Sequence, residues 1–276
     1  ASGVDVSTVV EKGKSAFIGP ELYKKTLGII GLGAIGSIVA NTAISLGMDV
    51  YGYDPFLSVD TALRLDRHVH VVKDINDLYK RSDYITMHIH YTEKTAHMID
   101  ADAIAAMKRG VRVINLARGE IVDDEAMLTA LDTGMVAAYI TDFPNNRLVQ
   151  VPNVIAMPHL GASTPESEEN CASMGAEELI DFLEHGNIQN SVNLPTVRMD
   201  PNGAARMTVV HKNQPNMIAT ITDTISKDGM NIAAFTDKNR GEIAYSIIDT
   251  DTAYSAGVVA DIEKIDGVIR VRVIQD

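Results

Sequence analysis

The sequence predicts an α/β protein: a doubly wound parallel sheet followed by a smaller βαββαβ unit. Three observations carry this. Between Leu27 and Pro158 short apolar runs alternate with amphipathic segments, the pattern of repeated strand–helix–strand units with right-handed crossovers. A stretch rich in Asn and Pro then breaks that pattern. From Met207 onward the order is strand, helix, strand, strand, helix, strand, a ferredoxin-like arrangement.

The elements follow in order. Residues 1–26 are polar and weakly periodic and read as an arm ending in a turn at Gly19-Pro20. Strands are predicted near 27–31, 49–53, 70–72, 83–88, 111–115, 136–140 and 153–156. Helices are predicted near 34–46, 74–80, 101–107 and 123–133, with Asp123-Asp124-Glu125 placing negative charge in the first turn of the last. One long helix is expected over 165–185, with Thr164 as N-cap, Pro165 at N1 and Gly186 past its end. The expected organisation is therefore a first domain over 1–189, a linker over 190–206 and a second domain over 207–276.

The first strand runs into Gly31-Leu32-Gly33-Ala34-Ile35-Gly36, a G-x-G-x-x-G that opens a helix. A second strand ends in Asp54, 18 residues after Gly36. Gly31 permits the tight turn, Gly33 lets a pyrophosphate approach the backbone, and Gly36 lets helix and strand pack closely. The helix N-terminus offers free N–H groups and a positive dipole end to phosphates. Asp54 would accept hydrogen bonds from a ribose diol and repel a 2′-phosphate. The predicted fold is thus of the Rossmann type, and the predicted cofactor is NAD.

Composition narrows the class. Hydrophobic content of 46% with 22% charged residues is that of a globular chain. A formal net charge of −13 argues against nucleic acid or an anionic membrane as partner. The lone Cys171 rules out an intrachain disulfide, and no apolar run reaches 18 residues, so a cytoplasmic setting is expected. The first residues show neither an initiator Met nor a signal peptide, so the chain is expected to begin inside a longer protein. No metal site is expected.

Two further constellations fall at strand ends, where open α/β sheets bind ligands. In Asn115-Leu116-Ala117-Arg118-Gly119, the arginine can grip a carboxylate by two parallel hydrogen bonds; the plainer alternative is a surface ion pair with Glu120 or Asp123. In Pro158-His159-Leu160-Gly161-Ala162, the imidazole can exchange the proton of a 2-hydroxy or 2-oxo group; the alternative is a histidine that caps a turn or packs in a core.

Together the glycine fingerprint, N-x-A-R-G-E-I-V-D and P-H-L-G-A-S-T resemble the D-isomer-specific 2-hydroxyacid dehydrogenases. The resemblance implies Arg118 as carboxylate anchor and His159 as acid/base. It implies cofactor contacts from Gly31, Gly33, Ala34, Ile35, Gly36, Asp54, Pro55, His88, Ala117, Gly161 and Ala162. That family pairs its histidine with a glutamate. Aligned on Phe143-Pro144, Asn146 falls at that position, while Thr141 replaces an aspartate that meets the nicotinamide amide and Asp142 stands one residue off, so either Thr141 or Asp142 is a candidate for that cofactor contact. An amide can orient the imidazole but cannot stabilise the imidazolium by charge. Asp124 is a conceivable substitute partner. The family's substrate domain is formed mostly by about a hundred residues before the NAD domain, so the chain is expected to be truncated and impaired in turnover.

His211-Lys212-Asn213-Gln214-Pro215-Asn216 followed by Met230-Asn231-Ile232-Ala233-Ala234-Phe235 resembles an ACT domain, with Asn216 where a glycine is usual. The combination resembles the family branch that oxidises 3-phospho-D-glycerate at the start of serine biosynthesis. It implies L-serine as effector, held by His211, Asn213 and Asn231, and a homodimer or homotetramer. The alternatives are a related dehydrogenase acting on glycerate, hydroxypyruvate or D-lactate, or a regulatory module that binds NAD or an amino acid without catalysis.

Overall fold

The computed structural model describes residues 5–274; the expected arm's residues 1–4 lie outside them. The chain forms two compact units, Ala1–Gly161 and Ala162–Asp276.

The first unit holds seven strands: β1 (Thr26–Ile30), β2 (Asp49–Tyr53), β3 (His70–Val72), β4 (Tyr84–Met87), β5 (Val111–Asn115), β6 (Val136–Thr141) and β7 (Val154–Ala156). They pair throughout in parallel, in the order β3-β2-β1-β4-β5-β6-β7. Central strand β1 is buried at four of its five positions, as a parallel strand covered on both faces must be.

Helices α1 (Val6–Gly13), α2 (Ala34–Ser45), α3 (Val59–Arg64), α4 (Ile75–Arg81), α5 (Ala101–Ala105) and α6 (Asp124–Asp132) complete the unit. α1 and α3 are additions to the expected elements. Each starts at a side-chain cap, Asp5 accepting from Ser7 N and Ser58 from Thr61 N, but neither buries a residue. Without a buried stripe they left no periodic core signal. Asp123, expected inside α6, is its N-cap and accepts from Glu125 N and Ala126 N.

The second unit begins with α7 (Pro165–His185), which starts at the Thr164 cap and stops at Gly186 in the left-handed conformation, φ 71°. It continues with β8 (Ala205–Lys212), α8 (Met217–Lys227), β9 (Ile232–Arg240), β10 (Ile243–Thr250), α9 (Ala256–Glu263) and β11 (Val268–Ile274). The four strands pair antiparallel in the order β11-β8-β10-β9. Met207, Val209, Ile221, Ile225, Ile248 and Ile262 form the core between sheet and helices.

The unit boundary falls at 161/162, well before the expected 189, because α7 is tied to the second sheet. Tyr245 donates to Gly186 O at 2.7 Å, and Arg272 to Phe182 O at 2.9 Å. The expected linker is likewise folded. Ile188 and Val197 exchange backbone hydrogen bonds at 2.8 and 3.0 Å and are buried with Tyr245 and Ile247. Arg206 forms a buried two-bond pair with Asp249 and donates a third bond to Met199 O. The Asn and Pro content hid four apolar residues, Ile188, Leu194, Val197 and Met199, that seal this face. No helix among the described residues is long and apolar enough to cross a membrane.

Candidate active site

Strand register builds the site. Parallel pairing sets Tyr53, Ile30, Met87, Asn115, Thr141 and Ala156 in one row at the carboxyl ends of β2, β1, β4, β5, β6 and β7. The residues just past that row line one edge. They are Asp54, Gly31, His88, Ala117, Arg118, Asp142 and, three residues past Ala156, His159. Chain order reverses between β1 and β4, which opens the crevice where such sheets take dinucleotides.

The glycine turn has the geometry its sequence implies. Gly31 sits at φ +91°, and a Cβ there would stand 2.6 Å from the His88 carbonyl oxygen. A Cβ on Gly36 would collide with the Gly31 carbonyl. A Cβ on Gly33 would meet nothing within 4 Å, so this face of the turn is open. Gly33 caps α2 with no side-chain hydrogen bond, leaving its first-turn N–H groups for a ligand. Ala34, Ile35 and Pro55 are exposed beside it. The Asp54 carboxylate is held at the tip of β2, accepting from Leu32 N at 3.0 Å and Phe56 N at 2.8 Å. His88 Nε2 lies 3.2 Å from Thr86 Oγ1, and burial holds its imidazole below the usual histidine range, favouring the neutral ring. An open phosphate cradle beside a fixed ribose acceptor fits NAD.

Toward β7 the groups become reactive. Buried Asn115 clamps the loop after β5: its Nδ2 donates to Arg118 O at 2.9 Å, and its Oδ1 accepts from Ala117 N at 3.2 Å. Arg118 is exposed. It donates to Ala117 O at 2.6 Å and has no carboxylate within ion-pair distance among the described residues. The simple surface ion pair is not formed; Asp123 faces His97 instead. His159 Nδ1 lies 2.8 Å from Asp142 Oδ2. Its side chain is 51% exposed, that of Asp142 only 8%. The Phe143 ring lies against the imidazole, centroids 4.6 Å apart. A carboxylate only accepts, so Nδ1 carries the hydrogen and Nε2 is left to exchange a proton.

Three expectations are corrected. Asn146 forms no hydrogen bond with His159 among the described residues; it lies in the exposed turn past β6, and Asp142 at the strand end has the shorter reach. Asp124 is not the substitute partner, since its carboxylate holds Asn145 Nδ2 at 2.7 Å. Thr141 is wholly buried with its hydroxyl accepting from Phe143 N, so its side chain does not face a cofactor. Asn115 and the Leu32–Asp54 bond were not singled out. A polar residue ending a buried strand was the available signal for the first.

Gly161 ends the first unit and Ala162 opens the second. In the second unit, His211 is 2% exposed. Its Nδ1 meets Lys212 O at 2.9 Å and its Nε2 meets Asp237 Oδ1 at 2.9 Å and Ser246 Oγ at 3.2 Å. Asn213 is exposed and donates to Gly241 O. Asn216 takes the left-handed conformation at φ 68°, which its usual glycine would adopt freely. Asn231 precedes β9 at the end of the sheet where Ile232 pairs with Thr250, whereas His211 pairs with Ala244 near the other end. One chain therefore does not bring the three expected effector residues together.

Residues 4–161 match the family described as D-isomer specific 2-hydroxyacid dehydrogenase, NAD binding domain. The chain belongs to this family. It is 41% identical over 193 residues to a D-3-phosphoglycerate dehydrogenase of Synechocystis, covering 68% of this chain and 34% of that one. It is 33% identical over 273 residues to the D-3-phosphoglycerate dehydrogenase of Haemophilus influenzae, covering 95% and 65%. The chain thus spans about a third of the length of the first of these relatives. Among solved structures, D-2-hydroxyisocaproate dehydrogenase matches with a TM-score of 0.58 at 29% identity, covering 67% of this chain and 60% of that one. D-lactate dehydrogenase from Aquifex aeolicus, complexed with NAD and lactic acid, matches with a TM-score of 0.53 at 28% identity, covering 64% and 61%.

Proposed function

We propose that this chain is the NAD-binding part, with a regulatory unit, of a D-3-phosphoglycerate dehydrogenase. The reaction is oxidation of 3-phospho-D-glycerate to 3-phosphohydroxypyruvate, at the start of serine biosynthesis. The observation that carries the reading is a single sheet edge. It joins an arginine with no ion-pair partner among the described residues and a half-exposed, carboxylate-held histidine to the glycine turn.

NAD, when bound, supplies the hydride acceptor. Arg118 holds the substrate carboxylate through paired N–H donors and stabilises charge developing on the C2 oxygen. His159 Nε2 takes the hydroxyl proton as the C2–O bond becomes a carbonyl. In reverse the same nitrogen returns it.

The second unit is read as an ACT regulatory domain. Its L-serine site would combine Asn213 of one copy with Asn231 of another, which makes a homodimer the smallest responsive form. The second reading, a dehydrogenase for another 2-hydroxy acid, draws on the similarity to D-lactate and D-2-hydroxyisocaproate dehydrogenases.

The test is NADH oxidation by the complete gene product with 3-phosphohydroxypyruvate, with and without L-serine. Turnover supports the substrate, and its reduction by serine supports the effector. Turnover of pyruvate or hydroxypyruvate in preference would favour the second reading.

A further inference from the structure

We infer that Asp142 is the positioning carboxylate for His159, doing from the end of a strand what the family's glutamate does from the turn at position 146. The inference rests on the dehydrogenase reading for its function but not for its geometry. Three observations point to Asp142. Its Oδ2 is 2.8 Å from His159 Nδ1, and among the described residues it is the ring's one hydrogen-bonding partner. It follows directly on Thr141, which stands in register with Ala156, so the β6–β7 pairing sets the points from which Asp142 and the Met157-Pro158-His159 segment depart. Met157 N also donates to Thr141 O at 3.0 Å, which extends that pairing one residue toward His159.

The third observation is energetic. Asp142 Oδ1 is buried and has no hydrogen-bond partner among the described residues. An orphaned buried carboxylate oxygen destabilises a fold. The geometry instead serves the imidazole: it fixes the Nδ1–H tautomer and aims Nε2 outward. The charge would also stabilise the imidazolium formed when the hydroxyl proton is taken. The other acidic groups of the neighbourhood are engaged elsewhere, Asp124 with Asn145 and Asp123 with the first turn of α6.

The test reads the ring nitrogens of His159 by nitrogen NMR in the 276-residue chain, comparing wild type, D142N, D142L and N146A. It is joined to NADH affinity for each, and to turnover of 3-phosphohydroxypyruvate by the complete gene product carrying the same substitutions. The wild type and N146A are expected to hold the hydrogen on Nδ1. D142N is expected to move it to Nε2, because the new amide N–H donates to Nδ1. D142L is expected to leave a mixture of tautomers. Turnover is expected to fall about a hundredfold in D142N and less than twofold in N146A. NADH affinity should stay within about twofold in all.

An unchanged tautomer in both D142N and D142L would overturn the inference, as would a loss in N146A equal to that in D142N. If the tautomer responds as expected but wild type turns over none of the 2-oxo acids, the positioning role stands and the functional reading fails.

Discussion

Each unit contains a histidine bonded to an aspartate at nearly the same distance, 2.8 Å for His159–Asp142 and 2.9 Å for His211–Asp237. The two pairs are built for opposite ends. His159 is half exposed and has one nitrogen tied and one free. His211 is buried, and both its nitrogens are engaged within the second sheet. A proton can be traded only through a nitrogen that a substrate reaches, so the first pair suits catalysis and the second suits structure. The comparison shows that a His–Asp contact means little until the remaining nitrogen is traced.

Substituting each aspartate by leucine sharpens the contrast. D237L leaves a buried imidazole N–H with only the Ser246 hydroxyl beside it, and is expected to destabilise the second unit by about 1–3 kcal/mol. D142L removes an orphaned oxygen beside a ring that water can reach, and is expected to change the first unit by less than about 0.5 kcal/mol, or to stabilise it. Hydrogen exchange of core amides, followed separately in β8 and β5, reads both effects. Equal losses in the two units would break the contrast.

A smaller effect belongs to His88, which has no carboxylate partner among the described residues. Its folded-state pKa lies below the ordinary 6.5 because of burial. Above that value both folded and unfolded rings are neutral, and no stability depends on it. As pH falls below about 6.5 the unfolded chain binds a proton that the folded ring resists, so stability of the first unit declines. H88Q is expected to flatten this decline in thermal melts between pH 7 and 5. A slope identical to wild type would contradict the assignment.

Much of this was legible beforehand, for physical reasons. The central strands β1 and β4 are buried along nearly their whole length and announce themselves as apolar runs. The glycines at 31 and 36 are required by a positive φ and a close approach, constraints local enough to read in sequence. Arg118 and His159 were legible because each lies a few residues past an apolar strand, at the carboxyl edge of the sheet. The Asp142–His159 contact does not show in motif spacing, because it depends on the β6–β7 register that brings the two strand ends together. The folded segment 187–204 was hidden by composition: four spaced apolar residues suffice to cover a sheet face when the buried Arg206–Asp249 pair anchors the chain beside them.

The most direct measurement is a paired substitution, H159N and H211N, in the complete gene product, scored for turnover of 3-phosphohydroxypyruvate and for thermal stability. The expected result is a split. H159N loses turnover by about a thousandfold with its melting temperature unchanged, while H211N melts earlier and keeps turnover within about threefold at temperatures where it is folded. Turnover lost in folded H211N, or kept in H159N, would contradict the assignment of the two histidines.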